Sequence, residues 1–144
     1  MWKDYIRSVT KGYDYKKPAT KTEIGQINQK LNVELPNDLL ELFNETNGVF
    51  DEFDYPLIWA TDQIVKENLF FRNFVDYKDI YMPFDHLLFF SNAGNGDLFG
   101  YPVLNGVIQR DDIFVWDHET DSRKMIASSL KDFIEGWTSG RIII

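Results

Sequence analysis

Apolar residues recur along this chain with two periods, and the change of period divides it into helical and extended parts. Trp2, Tyr5, Ile6 and Val9 fall at i, i+3, i+4 and i+7, the spacing that lines one face of a helix. Gly12 ends that helix, and residues 12–21, polar and basic with Pro18, read as a loop. Thr22 is placed to cap a second helix, which carries Ile24, Ile27 and Leu31 on one face. The segment before Pro36 is extended, as a residue preceding proline prefers. Pro36 opens a third helix, where its missing N–H is not needed. Asp38 and Glu41 sit near the positive end of its dipole. Leu39, Leu40, Leu42 and Phe43 form its buried stripe, and Asn47-Gly48 supplies a left-handed stop.

Asp51–Asp54 reads as an acidic loop, and Tyr55–Ala60 as a short strand that Pro56 assigns to an edge. Thr61 or Asp62 caps a fourth helix running to about Phe74. Phe70, Phe71 and Phe74 cannot all share one helical face, so this helix is either well buried or carries an exposed aromatic. Residues 75–85 look irregular and hold Tyr77 and Tyr81. The pattern then switches. The apolar run Leu87-Leu88-Phe89-Phe90 enters a turn built from Gly94, Asn95, Gly96 and Asp97, then leaves as Leu98-Phe99-Gly100-Tyr101. That is a buried hairpin. Ile113–Trp116 and a short strand near Lys124–Ile126 extend it into a meander. Ser128 or Ser129 caps a last helix with Leu130, Phe133, Ile134 and Trp137 on one face, stopped by Gly140. The apolar tail Ile142–Ile144 must find cover or remain adhesive. Helices, then hairpin-connected strands, then a helix predict an α+β domain with an antiparallel sheet.

The length, 144 residues, fits one domain spanning 1–144 with a real core. The aromatic share, 16%, is high and suits both a core and a binding surface. The chain has no cysteine, which excludes disulfides, thiolate metal sites and a cysteine nucleophile. Met1–Tyr5 carries charge where a secretory leader is apolar, and no run approaches the roughly 20 apolar residues of a membrane span. A cytoplasmic protein without membrane contact is expected.

The net charge of −8 is unevenly spread. Residues 1–34 are locally +3, and residues 44–85 locally −6. The acidic part repels nucleic acid and attracts a basic protein. Each candidate for chemistry meets an obstacle. The Gly94–Asp97 turn lacks a following helix and a Lys-Ser/Thr pair, and Asp97 would repel phosphate. Asp111, Asp112, Asp117, Glu119 and Asp121 lack a calcium-loop pattern, and only His86 and His118 offer imidazoles. No nucleophile elbow surrounds Ser91, Ser128 or Ser129, and Asp85-His86 reads better as structural. Lys11, Lys16, Lys17 and Lys21 with Tyr13 and Tyr15 offer a basic stripe, inside an acidic chain. No catalytic, cofactor or metal residue is expected.

Several segments in fixed order resemble a known family. The first is Leu35-Pro36-Asn37-Asp38-Leu39 through Asn47-Gly48. The next are Leu87–Phe90 and Gly94-Asn95-Gly96-Asp97-Leu98-Phe99. Ile113–Thr120 and Leu130–Ile134 complete the set. Together they resemble the SUKH superfamily, which includes the yeast Smi/Knr cell-wall regulators, and in particular its bacterial YobK-type members. The resemblance implies an α+β fold, here a twisted antiparallel sheet of about five to six strands flanked by about four to five helices. It also implies an immunity protein, or antitoxin, that neutralises a cognate secreted toxin, often a nuclease. The alternative is a regulatory scaffold or peptide-binding module like the yeast members. No shared catalytic residue carries over. On the acidic reading, Asp51, Glu52, Asp54, Asp76, Asp79 and Asp85 steer a basic partner, Tyr55, Tyr77 and Tyr81 anchor it, and Asp97 belongs to the same face. The protein is expected to be a monomer or weak dimer when free.

Overall fold

The computed structural model describes all 144 residues. Its first helix, α1 (Trp2–Val9), buries Trp2 and Ile6, as the periodicity predicts. The N-terminal amides of α1 are satisfied from far along the chain: Glu45 accepts from the N–H of Trp2 at 2.7 Å and of Lys3 at 3.1 Å. Residues 12–21 are not wholly a loop. Tyr13–Tyr15 forms β1, paired antiparallel with β2 (Val49–Asp51). The Tyr-Asp-Tyr alternation spans only three residues, too short a run to stand out as a strand in the sequence.

Helix α2 (Lys21–Leu31) is capped by Thr20 rather than Thr22. The Thr20 hydroxyl accepts from the Glu23 N–H, and the Glu23 carboxylate accepts from the Thr20 N–H, closing a capping box. Helix α3 (Asn37–Glu45) starts at Pro36 as expected and buries Leu39, Leu42 and Phe43; Leu40 is only half-buried. It does not end on a left-handed residue, because Thr46 follows it in extended conformation. Asn47 instead serves the next helix, α4 (Thr61–Asn73). Its side-chain oxygen accepts from the Thr61 N–H at 2.8 Å; Ala60 holds the N-cap position, and Asp62, inside the first turn, accepts from the Gln63 N–H at 2.9 Å. Gly48, at φ 95°, turns the chain into β2, and a Cβ there would sit 3.0 Å from the Ile58 carbonyl oxygen.

Seven strands form two antiparallel sheets, where the sequence suggested one of five to six. The first has order β1-β2-β3, with β3 at Pro56–Ile58. The second is a meander of β4 (Leu87–Asn92), β5 (Leu98–Pro102), β6 (Ile113–Trp116) and β7 (Arg123–Ala127). As expected from Pro56, β3 is an edge strand of its sheet, and its outer side lies beside β4. The Trp59 N–H donates to the Phe90 carbonyl at 2.9 Å, and the Ser91 hydroxyl donates to that of Leu57 at 2.5 Å.

Strand β4 reads as an unbroken apolar run because it is covered on both faces. Phe89 meets Phe71 of α4 with ring centroids 5.7 Å apart. Phe90 meets Phe133 of α5 (Leu130–Ser139) at 5.6 Å. Gly100 of β5 crosses β4 so closely that a Cβ would lie 2.8 Å from the Leu88 carbonyl oxygen. Ser129 caps α5 and Gly140 stops it in left-handed conformation. Beyond it Ile142 folds back, its N–H donating to the Gly136 carbonyl, while Ile143 and Ile144 stay exposed. No helix is long and apolar enough to cross a membrane.

Candidate functional site

The acidic and tyrosine residues singled out in the sequence, Asp97 of the glycine turn apart, fall on two segments. One is the β2–β3 hairpin, the other the stretch after α4, which begins with a 3-10 turn at Val75–Asp79. Within the hairpin the carboxylates have different duties. Asp51 accepts from the N–H groups of Phe53 and Tyr55, both at 2.9 Å, and so shapes the turn. Asp54, at φ 64°, lies 3.4 Å from the Lys16 ammonium. Glu52 and Tyr55 are exposed.

The second segment combines exposed acids with a layered aromatic cluster. Asp76, Asp79 and Asp85 are exposed. Tyr77 stands against Phe74 with centroids 4.7 Å apart, stacks on Phe71 at 5.4 Å and meets Tyr81 at 5.2 Å. The Tyr81 hydroxyl donates to the His118 carbonyl at 2.8 Å. Burial, with Tyr77 and Asp121 close by, raises the Tyr81 pKa.

The Gly94–Asp97 turn bridges the two segments. A Cβ on Gly94 would touch the Tyr55 hydroxyl at 4.0 Å, and one on Gly96 would lie 2.9 Å from the His118 ring. Tyr55, the glycine turn, His118 and Tyr81 therefore follow one another across the surface. Asp97 does not present its charge there. It is only 7% exposed; its carboxylate lies 2.6 Å from His118 Nδ1 and accepts from the His118 N–H at 3.1 Å. The hydrogen bond that the His118 ring donates to the Asp97 carboxylate, more than any other neighbour, raises the His118 pKa. Asp97 thus fixes the corner of the hairpin against the β6–β7 turn.

Asp97, Asp117 and His118 bring ligand atoms within 4.8 Å of one another, a spacing that suits a metal ion. Each is already engaged. Asp117 accepts from the N–H groups of Glu119 and Thr120, and Asp97 holds His118. Turn geometry accounts for all three.

Beside this strip runs a groove of about 410 Å³ between α4 and residues 81–85, floored by Phe71, Tyr77, Tyr81 and Phe84. Its outer wall is tied down. Asp121 accepts from the Met82 N–H at 2.9 Å and from the Trp116 indole at 2.8 Å. Arg123 donates to the carbonyls of Pro83 at 2.7 Å and Met82 at 2.9 Å. Burial works against the Asp121 charge, but the Met82 N–H, the indole and Arg123 outweigh it and hold the carboxyl below the usual range. Phe70, Phe74, Met82, Asp121 and Arg123 were not expected at a site. The one available signal was that Phe70, Phe71 and Phe74 cannot share a helical face. A second, polar cleft of about 550 Å³ lies between the α2–α3 connection and residues 106–111. Arg110 on its wall pairs with Asp112 at 2.6 Å.

The family model described as SMI1-KNR4 cell-wall, a SUKH family, matches residues 21–134. The chain belongs to the SUKH family. The matched span of this SUKH protein runs from α2 into α5 and contains both acidic segments, the glycine turn and the groove. The family includes immunity proteins, and its members typically bind other proteins. No curated protein matches the chain.

Proposed function

We propose that this SUKH protein is a cytoplasmic immunity protein. It binds a cognate secreted toxin, a basic nuclease domain, and neutralises it by protein contact rather than by catalysis. The observation that carries this reading is the meeting of two acidic, tyrosine-bearing segments across the glycine turn. Glu52, Asp76, Asp79 and Asp85 are exposed on these segments, which also carry Tyr55, Tyr77 and Tyr81; Asp85 sits at the end of β4 away from the turn. Such a surface steers a basic partner and raises the on-rate, while buried aromatics slow dissociation. Asp51 and Asp97 belong to this face as scaffolding, and Asp54 shares its charge with Lys16. No cofactor, nucleic acid or membrane takes part, and the free protein is a monomer or weak dimer.

The test is growth rescue on co-expression with the toxin domain encoded beside it. Rescue, with a one-to-one complex on gel filtration, supports the reading; a toxin that kills regardless overturns it. The family's cell-wall description favours a second reading, a regulatory scaffold with several partners and no toxin. In that case no neighbouring toxin gene is expected.

A further inference from the structure

The aromatic groove is more exposed than a core extension needs to be. Phe74, 36% exposed, and Met82, 58% exposed, line the opening, and Phe70, 47% exposed, stands beside Phe74 and Tyr77. Phe70 and Phe74 stack on each other with centroids 5.0 Å apart, so the apolar surface is continuous. Contiguous patches of this kind on a small protein mark interaction sites. The groove is also built rather than merely left open. Asp121 and Arg123 fix Met82 and Pro83 through backbone hydrogen bonds. A wall held in advance lowers the ordering cost of binding.

The charges around the opening select what fits. Asp85 is exposed on the lining, and Asp76 and Asp79 are exposed on the 3-10 turn whose Tyr77 and Lys78 line it; the lining also holds two cations, Lys78 and Arg72. Arg72 is drawn inward, donating to the carbonyls of Leu31 at 3.2 Å and Leu87 at 3.4 Å. A second copy of this chain would bring the same acids and a net charge of −8, and an anionic lipid surface would meet the same repulsion. A basic segment gains on both counts: its cations meet the rim carboxylates and the faces of Phe70 and Phe74. We infer that this groove receives an apolar anchor side chain from a partner protein, carried on an amphipathic segment whose flanking residues are Lys or Arg. The inference rests on the reading that the chain acts by binding a protein, not on that protein being a toxin.

The test uses NMR of the full chain with two amphipathic probe peptides of equal length, one Leu/Lys and one Leu/Glu. The Leu/Lys peptide is expected to shift the resonances of Phe70, Phe74, Tyr77 and Met82. The Phe70→Ala/Phe74→Ala variant, altered only at exposed positions, should keep the native spectrum elsewhere and lose at least about tenfold in affinity. Shifts centred elsewhere, absence of binding or equal binding of the Leu/Glu peptide overturns the inference. Concentration-dependent shifts at the same resonances without peptide would assign the groove to a second copy, which also overturns it. Growth rescue separates the two proposals. Equal rescue by wild type and groove variant removes the groove and leaves the toxin reading standing. Peptide docking without any rescue removes the toxin and leaves the groove.

Discussion

Asn68 ties helix α4 to strand β4. It lies in the middle of α4, an unfavourable place for asparagine. Its side chain is buried and acts as a short strand. The Nδ2 group donates to the carbonyls of Ile64 and Phe89, both at 2.8 Å, and Oδ1 accepts from the Phe89 N–H at 2.9 Å. Asn68→Ala leaves the Phe89 N–H and C=O without partners at a residue with no exposed surface. Each buried orphan costs about 1–3 kcal/mol, so the pair costs about 4 kcal/mol. With a urea dependence of about 2 kcal/mol per molar, the unfolding midpoint should fall by about 2 M. The exposed neighbour Lys66→Ala should stay within about 0.5 kcal/mol of the parent. Equilibrium urea denaturation followed by tryptophan fluorescence reads both. A midpoint loss for Asn68→Ala as small as that for Lys66→Ala would show that the helix-to-strand clamp does not hold α4 in place. The aromatic groove on α4 would then lack its support.

Three further outcomes are expected. The His118 pKa should lie above the ordinary value of about 6.5 and fall toward it in Asp97→Asn, read by NMR titration of the imidazole. Because the folded pKa is raised, this pair's contribution to stability is fully present below pH about 6.5 and fades as pH rises through the folded pKa; a pKa at or below the ordinary value contradicts the pairing. Gly100→Ala should lower the melting temperature strongly, since its Cβ would meet the rigid Leu88 carbonyl rather than a movable side chain; calorimetry showing an unchanged transition would refute the close crossing. Charge reversal by Glu52→Lys should slow association with a basic partner while leaving dissociation nearly unchanged. Asp51→Lys should also loosen the hairpin, a difference that surface plasmon resonance and thermal melts together resolve.

The helices were legible because each buries a regular stripe and most carry local stop or start signals. Trp2, Tyr5 and Ile6 mark α1, and Leu130, Phe133 and Ile134 mark α5. The hairpin was legible because Leu87–Phe90 and the Gly94–Asp97 turn combine burial on two faces with residues that accept positive φ. What escaped were partnerships between distant residues. Asn47 reads as a stop for α3 but caps α4, and Glu45 caps α1 across the sequence. Strand β1 is fixed by its pairing with β2, and the alternation of Tyr13-Asp14-Tyr15 is too short to announce it. At the candidate site the sequence identified exposed acids and tyrosines but treated them as equivalent. Only the structure separates Glu52, which is free, from Asp51, which shapes a turn, and Asp97, which is buried against His118. The wall of the groove escaped for the same reason, since Asp121 and Arg123 act through backbone atoms of Met82 and Pro83 some forty positions away.

Growth rescue is the decisive measurement: the protein is co-expressed with a candidate toxin domain from an adjacent gene, alongside a Glu52→Lys/Asp76→Lys/Asp79→Lys variant checked for native folding. Immunity by contact through the acidic face predicts full rescue by the parent and a clear loss of protection by the charge-reversed variant. Equal protection by both would contradict the assigned face, and no protection by either would contradict the function itself.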